Sequence, residues 1–171
     1  MGVRIRTAVP NDAGAIARVH VASWHATYRG LVPDEVIDAR TVEVRREQWA
    51  PLLEKPNRIT LVACDESGEV VGFASALLLD EPDRRFGSYL QTLYLVPDVK
   101  KQGIGRALLR AMAQRLFDGG IESMALRALR LNPARRFYEH LGARVVPEGI
   151  EHDADRYDDV VYAFDDVRVL L

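Results

Sequence analysis

The sequence predicts an α/β (α+β) fold in which helices pack on a central mixed sheet. Two apolar, β-branched runs, Ile59 to Cys64 and Val70 to Leu79, flank the turn residues Glu66-Ser67-Gly68 and read as an antiparallel hairpin. A strand–helix–strand–helix succession follows from Tyr89 to His140. Two further apolar runs close the chain, and this order of elements is that of a mixed sheet with helices on it.

Taken in order, Val3-Arg4-Ile5-Arg6 alternates apolar and charged side chains, as a strand with one buried face requires, and Pro10-Asn11-Asp12 supplies turn and helix-cap chemistry. A first helix follows, with Ile16, Val19, Ser23, Thr27 and Tyr28 at helical spacing and Gly30 and Pro33 closing it. Asp34 to Glu54 reads as helical too, with Trp49, Leu52 and Leu53 on its apolar side. The strand Tyr89 to Val96 ends at Pro97, and a Lys/Gly-rich segment opens the helix Gly105 to Phe117. Ile104, Leu108, Met112 and Leu116 repeat every fourth residue along that helix, and Gly119-Gly120 ends it. Met124 to Leu129 reads as a strand, Pro133 to His140 as a short helix, and Val145-Val146 with Val160 to Phe164 as the last strands.

A chain of 171 residues can bury a sizeable core without disulfides or metal, so one domain over residues 1–171 is expected. A composition 48% hydrophobic and 28% charged is that of a globular chain, and a net charge of -2 gives no general affinity for nucleic acid. The lone Cys64 lies in an apolar run, where a buried thiol is expected rather than a nucleophile. No apolar stretch reaches the length needed to span a bilayer and the N-terminus is polar, so the expected address is the cytoplasm, without a membrane partner.

The most informative segment is Leu93-Tyr94-Leu95-Val96-Pro97-Asp98-Val99-Lys100-Lys101-Gln102-Gly103-Ile104-Gly105-Arg106. A strand that feeds a helix through Gly103 and Gly105 presents backbone N–H groups at the positive helix end, where phosphate meets a backbone without side chains. Lys100, Lys101 and Arg106 add positive charge. A glycine at such a turn also serves purely conformational needs, so the glycines alone do not define a site. No G-K-[ST] follows for a Walker A loop, and the third glycine of the dinucleotide fingerprint is missing.

Placed after a strand ending Leu-Val-Pro, Lys100-Lys101-Gln102-Gly103-Ile104-Gly105 resembles the Q/R-x-x-G-x-G/A motif of the GNAT superfamily of N-acetyltransferases. Lys100 stands where Gln or Arg is usual, which keeps the charge and loses the planar donor geometry. The resemblance implies that this turn holds the coenzyme A pyrophosphate through Lys100, Lys101, Gln102, Gly103, Gly105 and Arg106, with Leu95 and Val96 of the preceding strand also on the cofactor. Downstream, Asn132-Pro133-Ala134-Arg135-Arg136-Phe137-Tyr138-Glu139-His140-Leu141-Gly142 places Ala134, Phe137 and Leu141 on one helical face and Arg135 with Tyr138 on a neighbouring one. By itself this is an amphipathic helix with a tyrosine. It resembles the second GNAT signature, N-x-x-A/R-x-x-F-Y-x-x-x-G-F, with one residue fewer between Arg135 and Phe137 and with Ala143 replacing the final Phe. Both motifs in order extend the resemblance over residues 3 to 165, with its specific content in 93 to 142. It implies a single GNAT-type domain with a mixed, mostly antiparallel sheet and helices on both faces. It implies further that Asn132 and Arg135 contact the cofactor and that Tyr138 is catalytic, protonating the CoA thiolate. A phenol with an ordinary pKa of about 10 is protonated at neutral pH and suits that role.

The implied cosubstrate is acetyl-CoA, with no metal, and the implied reaction is attack of a neutral amine on the thioester, backbone N–H groups of Leu93 to Val96 polarising the oxyanion. The glutamate that family members often carry near the start of this strand corresponds to Tyr89. His25, Tyr28, another acidic residue or an ordered water chain remain as general base. Trp24-His25-Ala26-Thr27-Tyr28-Arg29-Gly30-Leu31-Val32-Pro33 resembles W-x-x-T-Y-x-G-L-x-P of a group of bacterial GNAT proteins, in which this region walls the acceptor cleft; the plainer reading makes Trp24 and Tyr28 core aromatics. The acidic run 148–159 is a solvated loop or, beside the cleft, an attractor for a small cationic amine as partner. A CoA-binding module without catalysis, or a protein N-acetyltransferase, are the alternatives, and homodimers are common where this family is concerned.

Overall fold

The structure, a computed structural model, describes residues 2–79, 85–147 and 158–171. Its strands are β1 (Arg4–Thr7), β2 (Arg58–Cys64), β3 (Val70–Leu78), β4 (Ser88–Leu95), β5 (Met124–Leu129), β6 (Arg144–Val145) and β7 (Asp159–Phe164). They form one sheet in the order β1-β2-β3-β4-β5-β7-β6. Every neighbouring pair is antiparallel except β4 and β5, which are joined by helix and run parallel. The mixed, mostly antiparallel sheet expected from the sequence is therefore present. The helices are α1 (Ala13–Tyr28), α2 (Asp34–Asp38), α3 (Val42–Leu52), α4 (Ile104–Asp118) and α5 (Arg135–His140).

Alternation along the strands sends side chains to two cores. Leu61, Ala63, Ala74, Ala76 and Leu90 meet α4, whose Ile104, Leu108, Met112 and Leu116 are each no more than 1% exposed. Val62, Cys64 and Phe73 point to the opposite face and meet Ile16 and Val19 of α1 and Trp49 of α3. Helices thus cover both faces, and Cys64 is a core thiol, 1% exposed. The β2–β3 hairpin turns where the sequence places it: Asp65 Oδ1 accepts from the N–H groups of Ser67 and Glu69, and Gly68 takes φ +91°.

One boundary differs. The expected helix from Asp34 to Glu54 is two helices, because Thr41 adopts an extended backbone and its Oγ1 accepts from Val44 N–H at 3.3 Å, which starts α3 afresh. Among the described residues no helix is long and apolar enough to cross a membrane.

Before α1, Asp12 receives both Arg6 guanidinium nitrogens at 2.7 and 2.9 Å and the N–H of Val9 at 2.8 Å. The Arg6 hydrogen bonds, then the Val9 N–H, hold its carboxyl below the ordinary carboxylate value. Asp12→Asn is expected to cost about 2 kcal/mol, the scale of hydrogen bonds to a charged group. Since the folded value is depressed, this stabilisation is complete above the unfolded pKa of about 3.9 and is lost as pH falls through the folded one. Urea unfolding at neutral pH and at successively lower pH, where the gap between wild type and variant should narrow, checks it.

Two irregularities in β4 position the site. Ser75 pairs with Thr92 and Ala76 with Leu90, leaving Gln91 as a bulge residue. The parallel pairing with β5 then stops at Leu90 and Leu126, although β4 continues to Leu95 and β5 to Leu129. The two strands splay from that point.

Candidate active site

The splay opens a cleft of about 520 Å³ through the sheet, walled by Thr27 and Tyr28 of α1, Leu93 to Leu95 of β4, the glycine turn, and Asn132, Phe137 and Tyr138. That volume is within the usual range for a small-molecule site. Val96 N–H bonds Val71 of β3 at 2.9 Å. Since N–H groups alternate along a strand, those of Leu93 and Leu95 point away from β3, into the splayed gap.

At the turn, Lys101 and Gly103 have φ of +64° and +82°, and Gly103 caps α4 without a side-chain hydrogen bond. Lys100 N–H bonds Pro97 O at 3.3 Å and Ala107 N–H bonds Gly103 O at 3.0 Å. Between them, the N–H groups of Lys101 through Arg106 have no acceptor among the described residues. Unpaired N–H groups, a left-handed turn and a helix N-terminus together make an anion cradle. Lys100, Lys101, Gly103, Gly105 and Arg106 all line the cleft, as do Leu95, Asn132 and Tyr138. Lys100 Nζ reaches Thr27 Oγ1 at 3.2 Å, across the mouth to α1.

Three expected cofactor residues do not line it. Gln102 folds its amide back onto Asp98 O at 3.2 Å, and Val96 is held toward β3. Arg135 donates to Tyr162 Oη and Arg130 O, both at 2.8 Å, so the face it was expected to share with Tyr138 divides, Arg135 turning to β7 and Tyr138 to the cleft. Asn132 lines the cleft but is engaged internally: its Nδ2 donates to Tyr28 Oη at 3.1 Å and its Oδ1 accepts from Ala134 N–H at 2.9 Å, bolting the start of α5 to the end of α1.

The Tyr138 ring is packed against the core at 8% exposure, and its hydroxyl has no hydrogen-bond partner among the described residues. Burial, with Tyr94 nearby, raises its pKa above the ordinary phenol value, so it is a neutral donor at physiological pH. Burial likewise raises the Tyr28 phenol, which already accepts from Asn132 and so makes a poor base. His25 lies outside the cleft lining. Trp24 donates to Tyr94 Oη at 3.0 Å, which places it behind the cleft wall. Residues 148–157 of the acidic run lie outside the described residues, and Asp158 is taken by Arg130, whose Nε lies 2.9 and 2.8 Å from its carboxylate oxygens.

Sequence reasoning missed a second cavity of about 290 Å³ on the α1/α3 face, lined by His20, Arg45, Gln48, Trp49, Leu52, Tyr89, Gln91 and Thr92. His20 Nδ1 accepts from Trp49 Nε1 at 3.0 Å and its ring stacks on Tyr94 at 4.8 Å. Burial first, then the charges of Arg45 and Arg40, push its pKa down to about 3, so it is neutral and nearly without basicity. Its helical spacing from Ile16 and Trp24 was the available signal, and it marks only an inward-facing position.

The profile of the acetyltransferase (GNAT) family matches residues 15–143, a span that contains both walls of the cleft. The chain is 30% identical over 169 residues to the uncharacterized N-acetyltransferase YuaI of Bacillus subtilis (strain 168), covering 98% of this chain and 96% of that one. It is 28% identical to the aminoglycoside N(6')-acetyltransferase type 1 of Stenotrophomonas maltophilia, over 71% of this chain and 72% of the relative. The PaiA N-acetyltransferase of Thermoplasma acidophilum, solved in complex with coenzyme A, shares the fold at a TM-score of 0.80 and 23% identity, over 95% of this chain and 98% of that one. With its motifs brought to one cleft in the splayed sheet, the chain belongs to the GNAT family and is an N-acetyltransferase.

Proposed function

We propose that the chain transfers the acetyl group of acetyl-CoA to the primary amine of a small molecule by direct attack. The observation that carries this reading is one cleft holding an anion cradle at one end, outward-facing strand N–H groups in the middle and an unbonded buried phenol beside them. The N–H groups of residues 101–106 receive the pyrophosphate, with Lys100, Lys101 and Arg106 balancing its charge. Leu93 and Leu95 offer N–H groups to the thioester carbonyl and to the arm that leads to it. The amine lone pair forms the C–N bond as the carbonyl electrons move to oxygen; on collapse the C–S bond breaks and its electron pair leaves with sulfur. Tyr138 gives its proton to that thiolate, and the proton lost by the amine restores the phenol through solvent. His20 is too weakly basic to deprotonate the amine and the Tyr28 phenol stays protonated, so the amine arrives as the free base by way of water. The lone buried thiol accords with a cytoplasmic protein.

Calorimetry tests the cofactor. Acetyl-CoA and CoA should bind at least ~10-fold more tightly than NAD or ATP, because the turn lacks the Walker lysine and the third dinucleotide glycine. Equal or tighter binding of NAD overturns the reading of the turn.

A further inference from the structure

The second cavity shares Gln91 and Thr92 with the cleft, at the bulge where β4 parts from β5. A molecule seated there abuts the middle of the cleft from the face opposite α4. Among its lining residues Arg45 carries charge, and it is cationic. Arg45 Nη1 donates to Gln48 Oε1 at 2.8 Å, while its Nε is buried without a partner, and no carboxylate among the described residues pairs with it. Thr92 Oγ1, on the same cavity, is also buried and unpartnered. Ser75, the register partner of Thr92, accepts from Arg58 Nη1 at 3.0 Å, and Arg58 Nε is again buried and unpartnered. Arg40 lies 3.8 Å above the Trp24 ring and likewise has no carboxylate partner among the described residues. Arg40 and Arg45 both act on His20, which is neutral and brings no compensating charge. Half-buried guanidinium groups that no carboxylate among the described residues balances pay a desolvation cost that neutral partners such as Gln48, Ser75 and Val36 O offset only in part, and a planar oxyanion is the ligand that matches the guanidinium fork.

We propose that this cavity is the acceptor pocket and that Arg45, with the Thr92 hydroxyl, holds an anionic group, carboxylate or phosphate, carried by the same small molecule as the reacting amine. The inference rests on the acetyl-transfer reading above and departs from the cationic acceptor that the acidic run 148–159 brings to mind. The field of Arg45 and Arg40, both of which act on His20 in the lining, disfavours polycationic acceptors at this pocket.

The test uses four amines with acetyl-CoA: β-alanine, O-phosphoethanolamine, propylamine and 1,3-diaminopropane. One of the two anionic amines should exceed propylamine in kcat/KM by about 10²-fold, the scale of a desolvated charge pair, and the diamine should be slowest; the better of the two identifies carboxylate or phosphate. Arg45→Gln should bring the ratio of anionic to neutral amine close to one, with the Kd for acetyl-CoA unchanged. Thr92→Val serves as a second variant whose two effects oppose: removing an orphaned buried hydroxyl should raise Tm, while KM for the anionic amine rises. A merely structural threonine would lower Tm and leave KM alone. As a readout independent of turnover, inorganic phosphate added to CoA-saturated protein should raise Tm in the wild type and not in Arg45→Gln. Fastest turnover of the diamine, or a phosphate effect that survives Arg45→Gln, overturns the anionic pocket and leaves acetyl transfer standing. Failure of every amine to consume acetyl-CoA overturns both.

Discussion

Tyr138→Phe is expected to lower kcat by roughly 10²-fold or more, about 2.7 kcal/mol of transition-state stabilisation, with the Kd for acetyl-CoA little changed. The substitution removes one oxygen. In the folded protein that oxygen bonds nothing among the described residues and opens onto the cleft, so the ring packing against Phe137, at 5.3 Å between centroids, survives it. Burial keeps the phenol neutral well above physiological pH, so the proton is always present to be given. Its value arises only after the amine has attacked, when charge collects on sulfur, and an interaction confined to the transition state appears in kcat rather than in binding. Because no internal hydrogen bond is lost, the Phe variant should keep its Tm. The decisive measurement is kcat per folded, CoA-competent molecule with an identified amine; unchanged turnover removes Tyr138 from the chemistry.

The second large effect lies at the other end of the cleft. Gly103→Val should weaken CoA binding by at least about 10²-fold, and the reason is backbone rather than crowding. A Cβ at Gly103 meets no atom within 4 Å, but the residue has φ +82°, and a β-branched side chain there is strained. Relieving the strain rotates the N–H groups that follow and sets a side chain where the phosphate approaches. Gly105→Ala is the control. Its Cβ would lie 3.4 Å from Phe137 Cζ and 3.8 Å from Leu95 Cδ1, a snug contact without positive φ, so affinity should change by no more than a few-fold, roughly the effect of a small packing adjustment. Titration calorimetry with CoA on both variants, alongside thermal unfolding, separates loss of the cradle from loss of the fold. Wild-type affinity in Gly103→Val would mean that the pyrophosphate binds elsewhere.

Local chemistry determined most of the fold. The repeat of Ile104, Leu108, Met112 and Leu116 and the Glu66-Ser67-Gly68 turn are features of neighbouring residues, and the structure realises both. The division of Asp34 to Glu54 was written there too, in Thr41, but a single threonine within a helical pattern carries a weak signal against propensities summed over many residues. Within the site, the glycine turn and Tyr138 were legible because a helix N-terminus and the spacing of α5 depend on residues near in sequence.

What the sequence by itself determined, then, is the family, the sheet with its helices, and the two ends of the cleft, since each rests on contacts within one turn, one helix or one hairpin. Only the tertiary structure decided which side chains were free to act. Arg135 and Tyr138 are three residues apart, yet Arg135 is drawn to Tyr162 on β7 while the Tyr138 hydroxyl has no hydrogen-bond partner among the described residues and lines the gap. Arg45 reads as one more solvated helix arginine until α3 packs beside α1 and sets it in one cavity with Thr92, with no carboxylate partner among the described residues. Partner choice and desolvation depend on residues brought together from distant parts of the chain, and no local pattern encodes which of them arrive.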